Sequence, residues 1–226
     1  MVIKVRGLSM LENRIMQNIK SIIFDVDGVL IDSLEGNHKF YTDLMKKFGY
    51  EFMKLEEFIS HFHLTTKDVI RHSTKLTDEK EIEKIWLAGK NREVPYPEEL
   101  LGIPKNLKNT IEALSKKYVL GVATSRTLTP FSITQLIDLE KYFKAEVIYG
   151  DTKNHKPHPE PLILAAQKLG LKPEECVYVG DSATDLMAAR DAGMKCIIIE
   201  SHGRNIKGAD ENISSFEGLI KTVDSL

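Results

Sequence analysis

Five short runs of apolar, largely β-branched residues restrict the possible folds of this chain more than any other feature: SIIFDV (21–26), YVLGVAT (118–124), AEVIYG (145–150), CVYVGD (176–181) and KCIIIE (195–200). A strand with one wet face alternates apolar and polar residues, whereas a strand covered on both faces has no need to. These runs barely alternate, so they predict strands of a parallel sheet clothed in helices. Helix-like segments supply the cover: LKNTIEALSKK precedes the second run, TPFSITQLIDLEKYF the third, PEPLILAAQKLG the fourth and ATDLMAARDAG the fifth. Pro130 and Pro159 fall where such helices should begin, Gly170 and Gly193 where they should end. The expected fold class is therefore α/β, a doubly wound, Rossmann-like parallel sheet.

The first and second runs are separated by residues 31–117, far more chain than one crossover helix needs. HKFYTDLMKKFG, KLEEFISHFH, TKDVIRHST and TDEKEIEKIWLAGKN all repeat apolar residues at spacings of three and four, the helical signature. Trp86 and Phe40, Phe48, Phe52, Phe58 and Phe62 would form their core. VPYPEELLGIP, with Pro95, Pro97 and Pro104, reads as the linker back. The expected organisation is an N-terminal extension (1–20), an α/β core (21–33 and 104–226) and an inserted helical cap (34–103).

Composition excludes several classes. Thirty-one Lys and Arg against 33 Asp and Glu give a formal charge of -2, with no basic run among aromatics, so nucleic acid is not an expected partner. No apolar stretch reaches membrane-spanning length or resembles a signal-peptide core, so a cytoplasmic protein, monomer or homodimer, is expected. The two cysteines, Cys176 and Cys196, sit at the edges of strand-like runs and read as buried free thiols.

In a parallel sheet, ligands bind beyond the carboxyl ends of the strands. The first run exits into Asp25 and Asp27, the second into Thr124 and Ser125, the fourth into Asp181 with Asp185 beyond, and the loop after the third carries Lys156. Carboxylates gathered at one rim repel one another unless a cation joins them, and an all-oxygen set suits Mg2+. Alone, an Asp-x-Asp is most often a turn or cap, and Lys156 a solvated lysine. Polar groups at four strand ends together point to one site. His155 and His158 lack a nearby third ligand and read as loop residues. Arg126 and Arg71 remain as cations for a charged substrate.

DVDGV, GVATS, the lysine of KPHPEP, and GDSATD, in that order at strand ends, resemble the four motifs of the haloacid dehalogenase superfamily, in particular its capped phosphoglycolate phosphatase and β-phosphoglucomutase-like members. The resemblance implies a Mg2+-dependent phosphatase acting on a small phosphorylated metabolite through an aspartyl phosphate. Asp25 would be the nucleophile and Asp27 the general acid and base. Thr124, Ser125 and Lys156 would bind the phosphoryl group, with Thr124 and Lys156 also catalytic; Arg126, outside the motifs, stays a candidate for substrate binding on its charge alone. Asp25, the Asp27 carbonyl and Asp181 would hold Mg2+, with Asp185 orienting them.

Two other functions share these residues. A sugar phosphomutase resembling β-phosphoglucomutase fits DVDGVLIDS, yet those enzymes place a histidine where this chain has Asn37 and an arginine where TTKDVI has none. A receiver-like, phospho-accepting signalling protein would share the acids, threonine and lysine, but such domains lack an inserted cap. Dehalogenases lack the acid that Asp27 supplies.

Overall fold

The computed structural model describes residues 19–62, 64–126, 138–203 and 206–226. Most of the N-terminal extension, His63, Pro130 and the greater part of TPFSITQLIDLEKYF lie outside the described residues.

Six parallel strands form one sheet in the order β3-β2-β1-β4-β5-β6: β1 (Ser21–Phe24), β2 (Val119–Ala123), β3 (Phe143–Val147), β4 (Cys176–Gly180), β5 (Lys195–Ile199) and β6 (Glu211–Ile213). β1 is central, in register with β2 through Ile22 and Leu120 and with β4 through Ile22 and Val177. The order reverses there, which puts the switch point, and hence the expected ligand crevice, at the carboxyl end of β1.

Side chains alternate along β1 between two cores. Ile22 and Phe24 face a cluster with Leu107, Ile111 and Leu114 of α5 (Leu107–Ser115) and Leu219 and Val223 of α8 (Leu219–Ser225). Ile23 faces the opposite cluster, with Leu162, Ala165 and Ala166 of α6 (Glu160–Lys168) and Ala188, Ala189 and Ala192 of α7 (Ala183–Ala192). All four residues of β1 are buried, which is why the run has no polar alternation. Gly193 at φ +77° ends α7 in a left-handed C-cap that a side chain would strain.

The third strand departs from expectation. It spans Phe143–Val147 instead of 145–150, and a 3-10 turn over Glu140–Tyr142 stands where the sequence predicts continued helix. In this strand exposed Lys144 precedes buried Ala145, and half-buried Glu146 precedes buried Val147, the half-solvated pattern that a search for unbroken apolar runs misplaces. β6 escapes notice for a related reason: it is a three-residue edge strand with two exposed residues.

Between β1 and α5 lie α1 (Leu34–Lys47), α2 (Leu55–His61), α3 (Thr66–Thr74) and α4 (Glu79–Lys90). They close over their own apolar cluster, with Phe40, Phe58 and Trp86 buried and Phe48, Phe52 and Phe62 packed against them. Where the chain leaves the sheet and where it returns, Asp32 and Gly102 form an antiparallel bridge, each N–H donating to the other's carbonyl at 2.8 Å. Cys176 and Cys196 are free and buried, and no helix among the described residues is long and apolar enough to cross a membrane.

Candidate active site

At the end of β1 the chain turns sharply so that Asp25 and Asp27 reach one cavity. The Asp25 N–H still belongs to the sheet, donating to the Val179 carbonyl at 2.9 Å. One residue later, the Val26 carbonyl accepts the N–H groups of Val29, Leu30 and Ile31, folding the backbone back on itself. Gly28 makes the turn at φ +77°, and a Cβ there would stand 1.9 Å from Asp181 Oδ2. The glycine is required twice over, by its backbone conformation and by the carboxylate lying against it.

Asp25, Asp27, Thr124, Ser125, Arg126, Lys156 and Asp181 all line this cavity, whose opposite wall comes from the inserted helices through Asn37, Tyr41, Phe58 and Thr65. Asp185, buried completely, sits behind it. The polar residues predicted at the strand ends thus converge, while Arg71 does not line the cavity and instead pairs with Asp68 and Glu79.

Lys156 Nζ lies against three oxygens: Asp185 Oδ1 at 2.7 Å, Asp25 Oδ1 at 2.9 Å and the Tyr178 hydroxyl at 2.9 Å. The contact with Asp25 is an ion pair lacking hydrogen-bond alignment, so Asp25 Oδ1 is buried without a hydrogen bond. The Tyr178 hydroxyl in turn donates to the Ala123 carbonyl at 3.0 Å. Asp185 Oδ2 accepts from the backbone N–H groups of Asp181 and Ser182 and from Ser182 Oγ, fixing the turn between β4 and α7.

One ammonium cannot satisfy these carboxylates equally. Burial resists ionisation of Asp185, but Lys156 and the hydrogen bonds to Ser182 hold its carboxyl below the usual range. Burial pushes Asp25 up to about 8, opposed by Lys156 and reinforced by Asp185, Asp181 and Asp27. For Lys156 burial is likewise the largest influence and disfavours the charge, yet Asp185 and Asp25 together raise it well above the ordinary lysine value.

The donor set fits a hard divalent cation. Carboxylate oxygens of Asp25, Asp181 and Asp185 lie within 4.8 Å of one another, all buried. Both Asp185 oxygens are occupied by protein donors, which leaves Asp25 and Asp181 as the side chains with capacity for a metal. The Asp27 carboxylate is turned away from the group: Oδ1 accepts from Ser33 Oγ and from Arg126 Nη1, the latter at 2.6 Å.

Four contributors carry no sequence signal. Tyr178 reads as a core aromatic of β4, and Ser33, Asn37 and Ser201 as ordinary loop or helix residues. Yet Ser33 reaches Asp27, Asn37 extends towards Ser33 at 3.4 Å, and Ser201 donates to Asp181 Oδ2 at 2.9 Å. Only packing brings them to the site.

A family model described as haloacid dehalogenase-like hydrolase matches residues 22–199. The chain is 28% identical over 202 residues to a phosphoglycolate phosphatase of Salmonella choleraesuis, covering 79% of this chain and 80% of that protein. It is also 28% identical over 179 residues to the pyrophosphatase PpaX of Bacillus cereus, with 78% and 81% covered. Among solved structures, a haloacid dehalogenase superfamily hydrolase of subfamily IA from Geobacter sulfurreducens superposes with a TM-score of 0.69 at 26% identity, over 91% of this chain and 97% of that one.

Proposed function

The chain belongs to the haloacid dehalogenase-like hydrolases, and from that premise we propose that it is a Mg2+-dependent phosphatase hydrolysing a small phosphorylated metabolite through an aspartyl phosphate. One observation carries the reading: the Asp25 carboxylate stands at the exit of the central strand and lines the cavity, with Oδ1 2.9 Å from Lys156 Nζ.

In the proposed reaction an Asp25 oxygen attacks phosphorus, and the bond from phosphorus to the ester oxygen breaks. Asp27 passes a proton to that oxygen, which departs as an alcohol. The carboxylate so formed on Asp27 then takes a proton from water. The water oxygen attacks phosphorus, the bond to Asp25 breaks, and inorganic phosphate leaves with Asp25 restored.

Thr124 and the Ser125 N–H orient the phosphoryl oxygens, and Lys156 neutralises charge on them and holds the nucleophile. Asp25 and Asp181 side chains with the Asp27 carbonyl would hold Mg2+, which supplies charge stabilisation to the phosphoryl group. Asp185 positions Lys156 and the backbone of Asp181 through the contacts described above. Residues 34–103 act as the cap that completes the cavity and selects the substrate.

The experiment is phosphate release from a panel of phosphorylated metabolites with Mg2+, alongside Asp25→Asn. Selective release that falls at least 1,000-fold in the variant supports the reading; full activity of Asp25→Asn would overturn it.

A further inference from the structure

Arg126 holds more hydrogen-bond donors than the described residues use. It is 8% exposed, lies two residues beyond Thr124 and lines the cavity. Nη1 is engaged by Asp27 and the Tyr96 hydroxyl stands close to the guanidinium, but Nε and Nη2 are buried and make no well-aligned hydrogen bond among the described residues. A buried donor left unpaired costs roughly 1–3 kcal/mol, and more when charged. Such an arrangement is retained where a ligand completes it.

Nε and Nη2 form one edge of the guanidinium plane, the edge whose two parallel N–H groups match two oxygens of a carboxylate or phosphate. The Tyr96 ring lies 5.2 Å from the guanidinium carbon and helps to hold it in place. The cavity wall from the inserted helices offers Asn37, Tyr41, Thr65 and Thr66, all uncharged. The other lining cation, Lys156, is committed to Asp25 and Asp185. Among the described residues, an anion on the far part of a substrate therefore meets one available charged donor edge.

The geometry points to Arg126 as the receptor for a second anionic group of the substrate, a carboxylate or further phosphate, taken through Nε and Nη2. This rests on the phosphatase reading and narrows it. Asp27, which serves the ester oxygen there, is in direct contact with the same guanidinium, so the second anion must sit within a few bonds of that oxygen. The substrate class is a short phosphorylated acid or a short bisphosphate, in preference to a neutral sugar monophosphate.

The test is binding, measured by calorimetry in the Asp25→Asn background with Mg2+, of 2-phosphoglycolate, ethylene glycol bisphosphate and ethyl phosphate. At least one doubly functional ligand should bind tenfold or more tighter than ethyl phosphate, and Arg126→Gln should reduce that ratio to about threefold or less. Arg126→Lys, which keeps the charge without the fork, should also lose most of it and carries the comparison should the glutamine variant fail to fold. Tight binding of the carboxylate alone or the bisphosphate alone names the source of the anion. Equal affinity for all three ligands, or a ratio that survives in both Arg126 variants, overturns the assignment. Because nothing is turned over, the result stands apart from the phosphate-release experiment: no release from any substrate refutes the phosphatase reading and leaves this comparison intact.

Discussion

Asp25 is placed at a cost to the fold. With its carboxyl raised to about 8 by burial and neighbouring carboxylates, it is more readily protonated folded than unfolded. Its contribution to stability is therefore complete below the unfolded value near 4 and lost as pH rises through about 8. In EDTA, wild type should lose melting temperature between pH 5 and 8.5 more steeply than Asp25→Asn, and the variant should melt above wild type at pH 8.5. At this chain length each kcal/mol moves the midpoint by about 2–4 °C, so a thermal scan at several pH values resolves the crossing; parallel pH profiles would contradict the burial argument. A function-for-stability exchange of this kind is common at working sites.

Gly28 makes a second residue-level prediction. Alanine there is strained by its backbone and pushes a methyl group into the Asp181 carboxylate. Gly28→Ala should lower phosphate release at least 100-fold while costing only about 1–2 kcal/mol in chemical denaturation; an active variant would mean that Asp181 does not need its observed position.

Among the elements, α7 links fold and site most directly. Ser182 is its N-cap, accepting from the Asp185 N–H, while Asp185 accepts from Ser182 in return. Ser182→Ala removes the cap and one of the ligands of Asp185, and should cost about 1–2 kcal/mol, read as a midpoint lowered by roughly 2–8 °C. Ser182→Thr should recover most of it. A shift in the alanine variant below 1 °C would show that the reciprocal cap contributes little.

At this scale the sequence was legible wherever one physical demand governed a segment. The runs at 21–26, 118–124, 176–181 and 195–200 all contain strands because burial on both faces favours apolar residues along nearly their whole length. β3 and β6 were misplaced or missed because edge strands satisfy half their surface with water. The site followed the same division. Asp25, Asp27, Thr124 and Asp181 sit at or just beyond strand exits and Lys156 in the loop after β3, where chain order alone assembles them. Tyr178 and Ser201 reach the site through side-chain packing across separate elements, which no local pattern records.

For the whole molecule, a fixed cluster of buried carboxylates predicts linkage between cation and fold. A ligand that binds only the native state at 100 times its dissociation constant adds about 2.7 kcal/mol, or roughly 5–11 °C at this size. Mg2+ should raise the midpoint within that range at pH 8, less at pH 5.5, where Asp25 retains its proton, and little in Asp25→Asn. A wild-type midpoint that does not respond to Mg2+ or EDTA would remove the cation from the account.

The bridge between Asp32 and Gly102 bears on how the molecule can move. The chain passes from the sheet to the helices once and returns once, and those passages are clasped at a single pair of residues by two hydrogen bonds. Two loose tethers would let the helical layer slide, twist and tilt. A clasped pair suppresses the sliding and twisting and leaves chiefly one freedom, a swing about the clasp. Any closing of the helical wall on the strand ends would then follow one arc, as a door on one pin meets its frame, so that the alignment of the two walls would be set by the pivot and not searched for anew with each substrate.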